Sequence, residues 1–99
     1  MDQREIIQRF YHSRAWRECR TAFASSRGGL CERCLAKGLY SPGEAVHHKV
    51  RLTADNINDP MITLNWDNLE LLCHECHTEE HQRIRPRYVV SRDGRVRAR

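Results

Sequence analysis

The apolar positions divide the chain into short helices and strands separated by polar turns. From about Asp2 to Arg27 they recur at helical spacing, and Ser13 offers an N-cap that splits this stretch into two helices. Gly28-Gly29 ends the second helix, and Ser41-Pro42-Gly43 forms a turn. A looser alternation from Glu44 to Leu52 then predicts a strand.

The second half of the chain repeats this alternation of turns and elements. Thr53 to Asp67 is polar and loop-like, and a loop of that length is expected to be functional or partly ordered. Leu69 to Leu72 predicts a second strand, and a helix should run from about His74 to Arg83. The basic tail 83–99 carries Asp93-Gly94, which fits either a hairpin or a disordered arm. The pattern predicts a small α+β fold.

Length and composition limit the chain to one small domain, residues 1–99. With 99 residues and 39% apolar positions, its core is marginal, so a metal would help to hold it together. Lys and Arg outnumber Asp and Glu by 17 to 13, which is compatible with a polyanionic partner without demanding one. The N-terminal residues are polar and no apolar run reaches membrane-spanning length, so we expect a soluble protein in a reducing compartment.

The five cysteines indicate a metal site instead of a disulfide scaffold. Cys31 and Cys34 form one CxxC pair, Cys73 and Cys76 form a second, and 38 residues lie between the two pairs. Two such turns supply four thiolates, which complete a tetrahedral shell for a structural zinc ion. A redox role is disfavoured because neither pair lies in a thioredoxin-like βαβ setting. Cys19 is left over and is expected to be a buried thiol.

The histidines suggest a second metal site beside the first. His77 and His81 are four residues apart on a predicted helix, so both rings should project from one face. Such a pair alone is a weak signal, but His47-His48 on the first strand strengthens it. The zinc-protease motif HExxH is excluded because Thr78 follows His77 where that motif needs Glu. His74 is interpreted as a surface residue.

Together these segments resemble the HNH endonucleases of the ββα-metal (treble-clef-like) type, in particular the small phage members. The resemblance runs from about Trp16 to Gln82, which we take as the core of the domain. It rests on Cys31-x-x-Cys34, Val46-His47-His48-Lys49, the segment Leu52 to Pro60, Asn65-Trp66-Asp67-Asn68-Leu69, and Leu72-Cys73-x-x-Cys76-His77-x-x-x-His81. It implies a zinc-stapled ββα unit, with N-terminal helices before it and a basic tail after it.

The resemblance also implies a role for each matching residue. His48 would be the general base, and Asn68 would orient it and brace the loop between the strands. His47, His77 and His81 would hold one catalytic divalent cation. The implied reaction is hydrolysis of a DNA phosphodiester, nicking or weakly sequence-specific, with 5′-phosphate and 3′-hydroxyl products.

Two departures from the family pattern bear on the metal. Neighbouring residues on a regular strand face opposite sides, so His47 and His48 can serve one site only if the strand twists or ends there. An all-imidazole shell also shifts the expected metal from Mg²⁺ towards Mn²⁺, Ni²⁺ or Zn²⁺, although Mg²⁺ stays open.

The basic residues can be interpreted in two ways: they are solvated surface side chains, or some of them contact phosphates. The DNA-contacting candidates are Arg14, Arg17, Arg20, Lys49, Arg83, Arg85 and Arg87. The expected partner is DNA, and the family adds a phage terminase large subunit; the expected setting is a monomer in the cytoplasm of a bacterial host. The alternatives are a non-catalytic zinc-finger module that binds DNA or protein, and a nuclease toxin domain.

Overall fold

The computed structural model describes residues 1–82 and 88–98, and it confirms the mixed helix and strand fold expected from the sequence. The elements are α1 (Gln3–Tyr11), α2 (Arg14–Ser26), α3 (Glu32–Ala36), β1 (Ala45–His48), α4 (Pro60–Thr63), a 3₁₀ turn (Trp66–Asn68), β2 (Leu69–Leu72), α5 (His74–Gln82), β3 (Tyr88–Val90) and β4 (Val96–Ala98). None of these helices is long and apolar enough to cross a membrane.

The two N-terminal helices begin at the side-chain caps that their sequence offers. Asp2 Oδ1 accepts the N–H of Glu5 at 2.9 Å at the start of α1. Ser13 Oγ accepts the N–H of Trp16 at 3.2 Å at the start of α2, so the predicted division of this stretch is confirmed. Each cap satisfies a backbone donor that the first helical turn leaves without a partner.

The antiparallel pair β1–β2 separates the two halves of the interior. His48 pairs with Leu69 and His47 with Glu70, so successive residues project to opposite faces of the hairpin. The face of Leu69 and Leu71 packs against Trp16 and Phe23 of α2 to form the apolar core. The opposite face meets α5 and a cluster of cysteines around the buried Leu72.

The first strand is shorter than the sequence predicts. The prediction of a strand from Glu44 to Leu52 is wrong beyond His48, where β1 ends. The Lys49 N–H still bonds the carbonyl of Asn68 at 2.8 Å, but the next donor, Val50 N–H, bonds the Asn68 side chain at 2.7 Å. A side-chain amide thus replaces the backbone ladder and turns the chain away from β2.

The long loop from Thr53 to Asp67 is partly ordered, as its length suggested. It contains α4 and leads into the 3₁₀ turn. The C-terminal hairpin β3–β4 packs against this loop. Asn65 Nδ2 donates to the carbonyl of Gly94 at 2.6 Å, and Gly94 has a φ of 84°, which glycine adopts without strain. The hairpin interpretation is therefore confirmed for residues 88–98. The limits of the core (16–82) and of the tail stay predictions.

Candidate metal and catalytic site

The four predicted zinc ligands lie together between α3, β2 and α5. The Sγ atoms of Cys31, Cys34, Cys73 and Cys76 are all within 4.8 Å of one another. Cys34 Sγ lies 3.8 Å from both Cys73 Sγ and Cys76 Sγ. Four sulfurs around zinc at about 2.3 Å are separated by about 3.8 Å in a tetrahedron, so this cluster fits a Zn²⁺ ion.

The surroundings of the cluster act unequally on its thiols. Burial and the neighbouring sulfurs raise the pKa of Cys76, and the pKa of Cys73 is raised as well, so a bound cation would have to stabilise these two anions. Burial raises the pKa of Cys31, but N–H groups of Cys34 and Cys73 stabilise its anion and lower that pKa to about 7. Cys31, Cys73 and Cys76 are buried, and no disulfide joins any of the described cysteines. A closed, dry, four-sulfur shell is the chemistry of a structural ion.

Three histidines form a second cluster, two of them on α5 and the third on β1. The ring nitrogens of His47, His77 and His81 lie within 4.8 Å of one another. His77 Nε2 and His81 Nε2 are 3.0 Å apart, and two nitrogens that share one ion at about 2.1 Å are separated by about 3.0–3.4 Å. Burial, with the nearby His81, lowers the pKa of His77, so its ring is neutral at pH 7. The donor set fits a divalent cation.

His48 lies on the other face of β1, under the N-terminal helices. It is only 6% exposed, and its ring centroid is 4.7 Å from that of Trp16. Nε2 is 2.9 Å from the carbonyl oxygen of Thr63, which can only accept, so Nε2 carries the proton and Nδ1 has the lone pair. Burial lowers the pKa of His48, which keeps the ring neutral at pH 7.

Asn68 is fully buried and holds the loop between the strands. Its Oδ1 accepts the N–H of Val50, and its Nδ2 donates to the carbonyl of Ile62 at 2.7 Å. Val50 lies two residues after His48, and Ile62 precedes Thr63, whose carbonyl holds the His48 ring. Asn68 therefore holds the backbone next to each partner of the His48–Thr63 hydrogen bond, which is how it would brace the base as the family implies.

His47 and His48 share a cavity although they project from opposite faces of β1. The strand ends at His48, and a cavity of about 110 Å³ opens beside this end. Its lining comprises Tyr11, Val46, His47, His48, Arg51, Leu52, His77 and His81. The sequence analysis missed Tyr11 and Arg51, because only tertiary packing brings α1 and the chain after β1 to this opening.

An ion-pair network behind His47 was also missed. Arg33, inside the first CxxC, bonds Glu70 twice and Glu80 once. One signal was available for Glu80: it follows Cys76 by four residues on α5, so it must share the buried face of that helix.

The DNA-contacting candidates that the structure describes lie in two places, on α2 and just after β1. Arg14, Arg17 and Arg20 are exposed on α2, whereas Lys49 Nζ donates to the carbonyl of Asp67 at 3.2 Å. Arg83, Arg85 and Arg87 lie outside the described residues. His74 is exposed, as predicted; Cys19 is half-buried, with Sγ 3.7 Å from the Leu64 carbonyl, so its predicted burial is only partial.

A β-hairpin and helix held by four cysteines, with histidines gathered at the hairpin's end, define the class of ββα nucleases. The sequence model of one family, described as HNH endonuclease, matches residues 31–83. The chain belongs to the HNH endonuclease family, which makes it a nuclease.

Individual relatives agree with this assignment. A protein described as a probable HNH endonuclease of Lactococcus phage SK1 is 38% identical over 77 residues, covering 75% of this chain and 80% of the relative. The crystal structure of the HNH endonuclease of the deep-sea thermophilic bacteriophage GVE2 with manganese ion superimposes with a TM-score of 0.68 at 29% identity, covering 79% of this chain and 80% of that one.

Proposed function

We propose that this protein is a metal-dependent DNA endonuclease that hydrolyses one phosphodiester at a time. The observation that carries the proposal is the shared cavity, whose lining includes both the buried, neutral His48 and the three-histidine cluster. A base and a cation site at one opening are what phosphodiester hydrolysis requires. A zinc module used only for binding has no need of this combination.

His48 supplies the base. Its Nε2–H is committed to the carbonyl of Thr63, so Nδ1 takes the proton from an attacking water. Because burial disfavours the imidazolium, the base is in its active form at pH 7. Asn68 fixes the backbone on both sides of this bond and so limits the directions in which the ring can turn.

His47, His77 and His81 would hold the catalytic divalent cation. When bound, that cation supplies positive charge to the scissile phosphate and to the departing 3′ oxygen. An all-imidazole shell favours Mn²⁺, Ni²⁺ or Zn²⁺ over Mg²⁺, and the GVE2 relative was solved with manganese. The four cysteines would keep their own structural Zn²⁺.

The expected products have 5′-phosphate and 3′-hydroxyl ends, since the proton leaves water and the 3′ oxygen departs. A single chain offers one such cavity among its described residues, so we expect nicks. Low sequence specificity is proposed from the family resemblance. The residues that would contact DNA phosphates are Arg14, Arg17, Arg20, Lys49, Arg83, Arg85 and Arg87.

The deciding experiment is a plasmid-cleavage series with Mg²⁺, Mn²⁺, Ni²⁺ and Zn²⁺. We expect nicked plasmid with at least one of these ions and a loss of about 10²–10⁴-fold in His48→Ala. Zinc content should stay at the wild-type value in that variant. Cleavage by His48→Ala at the parental rate would show that the base is another residue, and no cleavage with any ion would favour the non-catalytic zinc module.

A terminase large subunit is proposed as a partner, in the cytoplasm of a bacterial host, by extension from phage relatives. The test compares cleavage rates with and without an added terminase large subunit, using an unrelated DNA-binding ATPase as the control. A stimulation confined to the terminase supports the partnership, and equal rates in all three reactions contradict it.

A further inference from the structure

A partly buried ion-pair network lies behind the histidine cluster, and its centre is Arg33. The guanidinium donates to Glu70 through Nε at 3.0 Å and Nη2 at 2.9 Å. Its remaining nitrogen, Nη1, donates to Glu80 Oε2 at 2.9 Å. These bonds raise the pKa of Arg33, so its charge is permanent. One arginine therefore links β2 to α5.

Glu80 is the least accessible carboxylate of this network. Its side chain is 3% exposed, whereas that of Glu70 is 17% exposed. A buried carboxylate is costly unless it is paired, and a nearby arginine offsets that cost. The pairing uses Oε2 and directs the second oxygen, Oε1, towards His47 Nε2 at 3.9 Å.

The position of Glu80 on α5 suits an interaction with a cation ligand. It lies between His77 and His81 in sequence, but it points inward while they reach the cavity. His47, on β1, is 6% exposed and closes the cluster from the opposite side. A displacement of about 1 Å brings Oε1 within hydrogen-bond range of the His47 ring.

We propose that Glu80, held by Arg33, is the positioning residue for His47. This inference rests on the proposed cation site. Glu80 accepts the Nε2–H of His47, which fixes the ring and leaves the lone pair on Nδ1. A carboxylate behind a metal-binding imidazole also makes the ligand more basic, and losing such a partner weakens metal affinity about 10–100-fold. Arg33 thereby connects the zinc knuckle to the catalytic cluster.

The first test measures Mn²⁺ affinity by calorimetry on the full chain, loaded with zinc and free of DNA. Glu80→Gln keeps the shape of the side chain but removes its charge, and we expect Mn²⁺ to bind about 10–100-fold more weakly. Glu70→Gln is the matched control, since it perturbs the same arginine on its other side, and its affinity should stay within about twofold of the parent. Equal affinities in both variants, or equal losses, would overturn the proposal.

The second test needs no variant and so does not depend on folding. Nitrogen-15 NMR of the histidine rings, on zinc-loaded protein without added Mn²⁺, should find His47 as the Nε2–H tautomer. An Nδ1–H tautomer would contradict the role of Glu80. Both tests read cation binding and ring state, not DNA cleavage. A protein that binds Mn²⁺ but cuts no DNA would overturn the proposed function and leave this inference standing.

Discussion

The two clusters differ in burial although one helix contributes to both. Three of the four cysteines are buried, with Cys31 at 0% exposure, whereas His77 is half-buried and His81 is exposed. Cys76 and His77 are neighbours on α5, so about 100° of rotation separates a sulfur facing the interior from an imidazole facing the cavity. A single helix position thus divides a closed cluster from an open one.

The comparison indicates that the cysteines set the direction of the histidines. Cys73 and Cys76 tie the start of α5 to α3, and the His77 N–H bonds the carbonyl of Cys73 at 3.0 Å. A four-thiolate shell leaves no position for solvent, whereas three imidazoles leave positions that water or a phosphate can take. The first cluster suits folding and the second suits chemistry.

Breaking the cysteine cluster should have the largest effect. In Cys73→Ser the zinc shell loses a ligand, and the zinc-binding energy is folding energy, about 10–16 kcal/mol in small zinc-finger peptides. We expect the cooperative thermal transition to disappear by circular dichroism, along with bound zinc. Cys19→Ser, outside the cluster, should keep both. A Cys73→Ser protein with the parental Tm would show that this cluster does not hold the fold.

Breaking the histidine cluster should abolish cation binding and leave the fold intact. In His77→Ala we expect Mn²⁺ affinity to fall by more than about 100-fold, because a direct ligand matters more than the partners behind it. Cleavage should be lost with it, while the Tm of the zinc-loaded protein shifts by only a few degrees. The matched control is His74→Ala, an exposed histidine one turn earlier, which should bind Mn²⁺ normally. If His77→Ala unfolded, the histidine cluster would also be needed for the fold, and the proposed difference in role between the two clusters would be wrong.

Much of the separation into a cysteine cluster and a histidine cluster could be predicted from the sequence. Two CxxC pairs can meet only if β2 and α5 fold back on α3, and residues 77 and 81 share a face by helical geometry alone. Motif spacing fixes such relations, so the zinc cluster and two of the three clustered histidines could be predicted. The roles assigned to the individual residues stay predictions, to be decided by the variants described.

The remaining features depend on tertiary packing that no local pattern encodes. The carbonyl of Thr63 holds His48, and a backbone group carries no residue-type signal. Asn68 ends β1 by competing for the Val50 N–H, which the alternation of apolar residues does not reveal. Tyr11 reaches the cavity because α1 folds over His48, with their ring centroids 6.2 Å apart.

A smaller effect should follow from loosening the loop that joins the two strands. Asn68→Ala leaves the Val50 N–H and the Ile62 carbonyl without their partner, at a cost of about 1–3 kcal/mol each. We expect a clearly lower Tm and, in the folded fraction, cleavage reduced about 10–100-fold with near-normal Mn²⁺ affinity. Asn65→Ala removes the bond to the C-terminal hairpin and the cap on the Asp67 N–H; it should cost about 1–2 kcal/mol and spare cleavage. If cleavage by the folded fraction fell equally in Asn68→Ala and Asn65→Ala, Asn68 would have a purely structural role.

The smallest effect should come from arginines that touch neither cluster. Arg14 is 86% exposed and paired with Glu18 at 2.8 Å, whereas Arg17 has no carboxylate within ion-pair distance among the described residues. Each released phosphate contact changes the slope of log affinity against log salt by about 0.9. We therefore expect Arg17→Ala to weaken DNA binding several-fold and to reduce that slope by about one, and Arg14→Ala to change both less. Fluorescence anisotropy across a salt series measures this. Equal slopes in the parent and Arg17→Ala would place Arg17 among the solvated residues, and a larger change in Arg14→Ala would show that DNA displaces Glu18 from its partner.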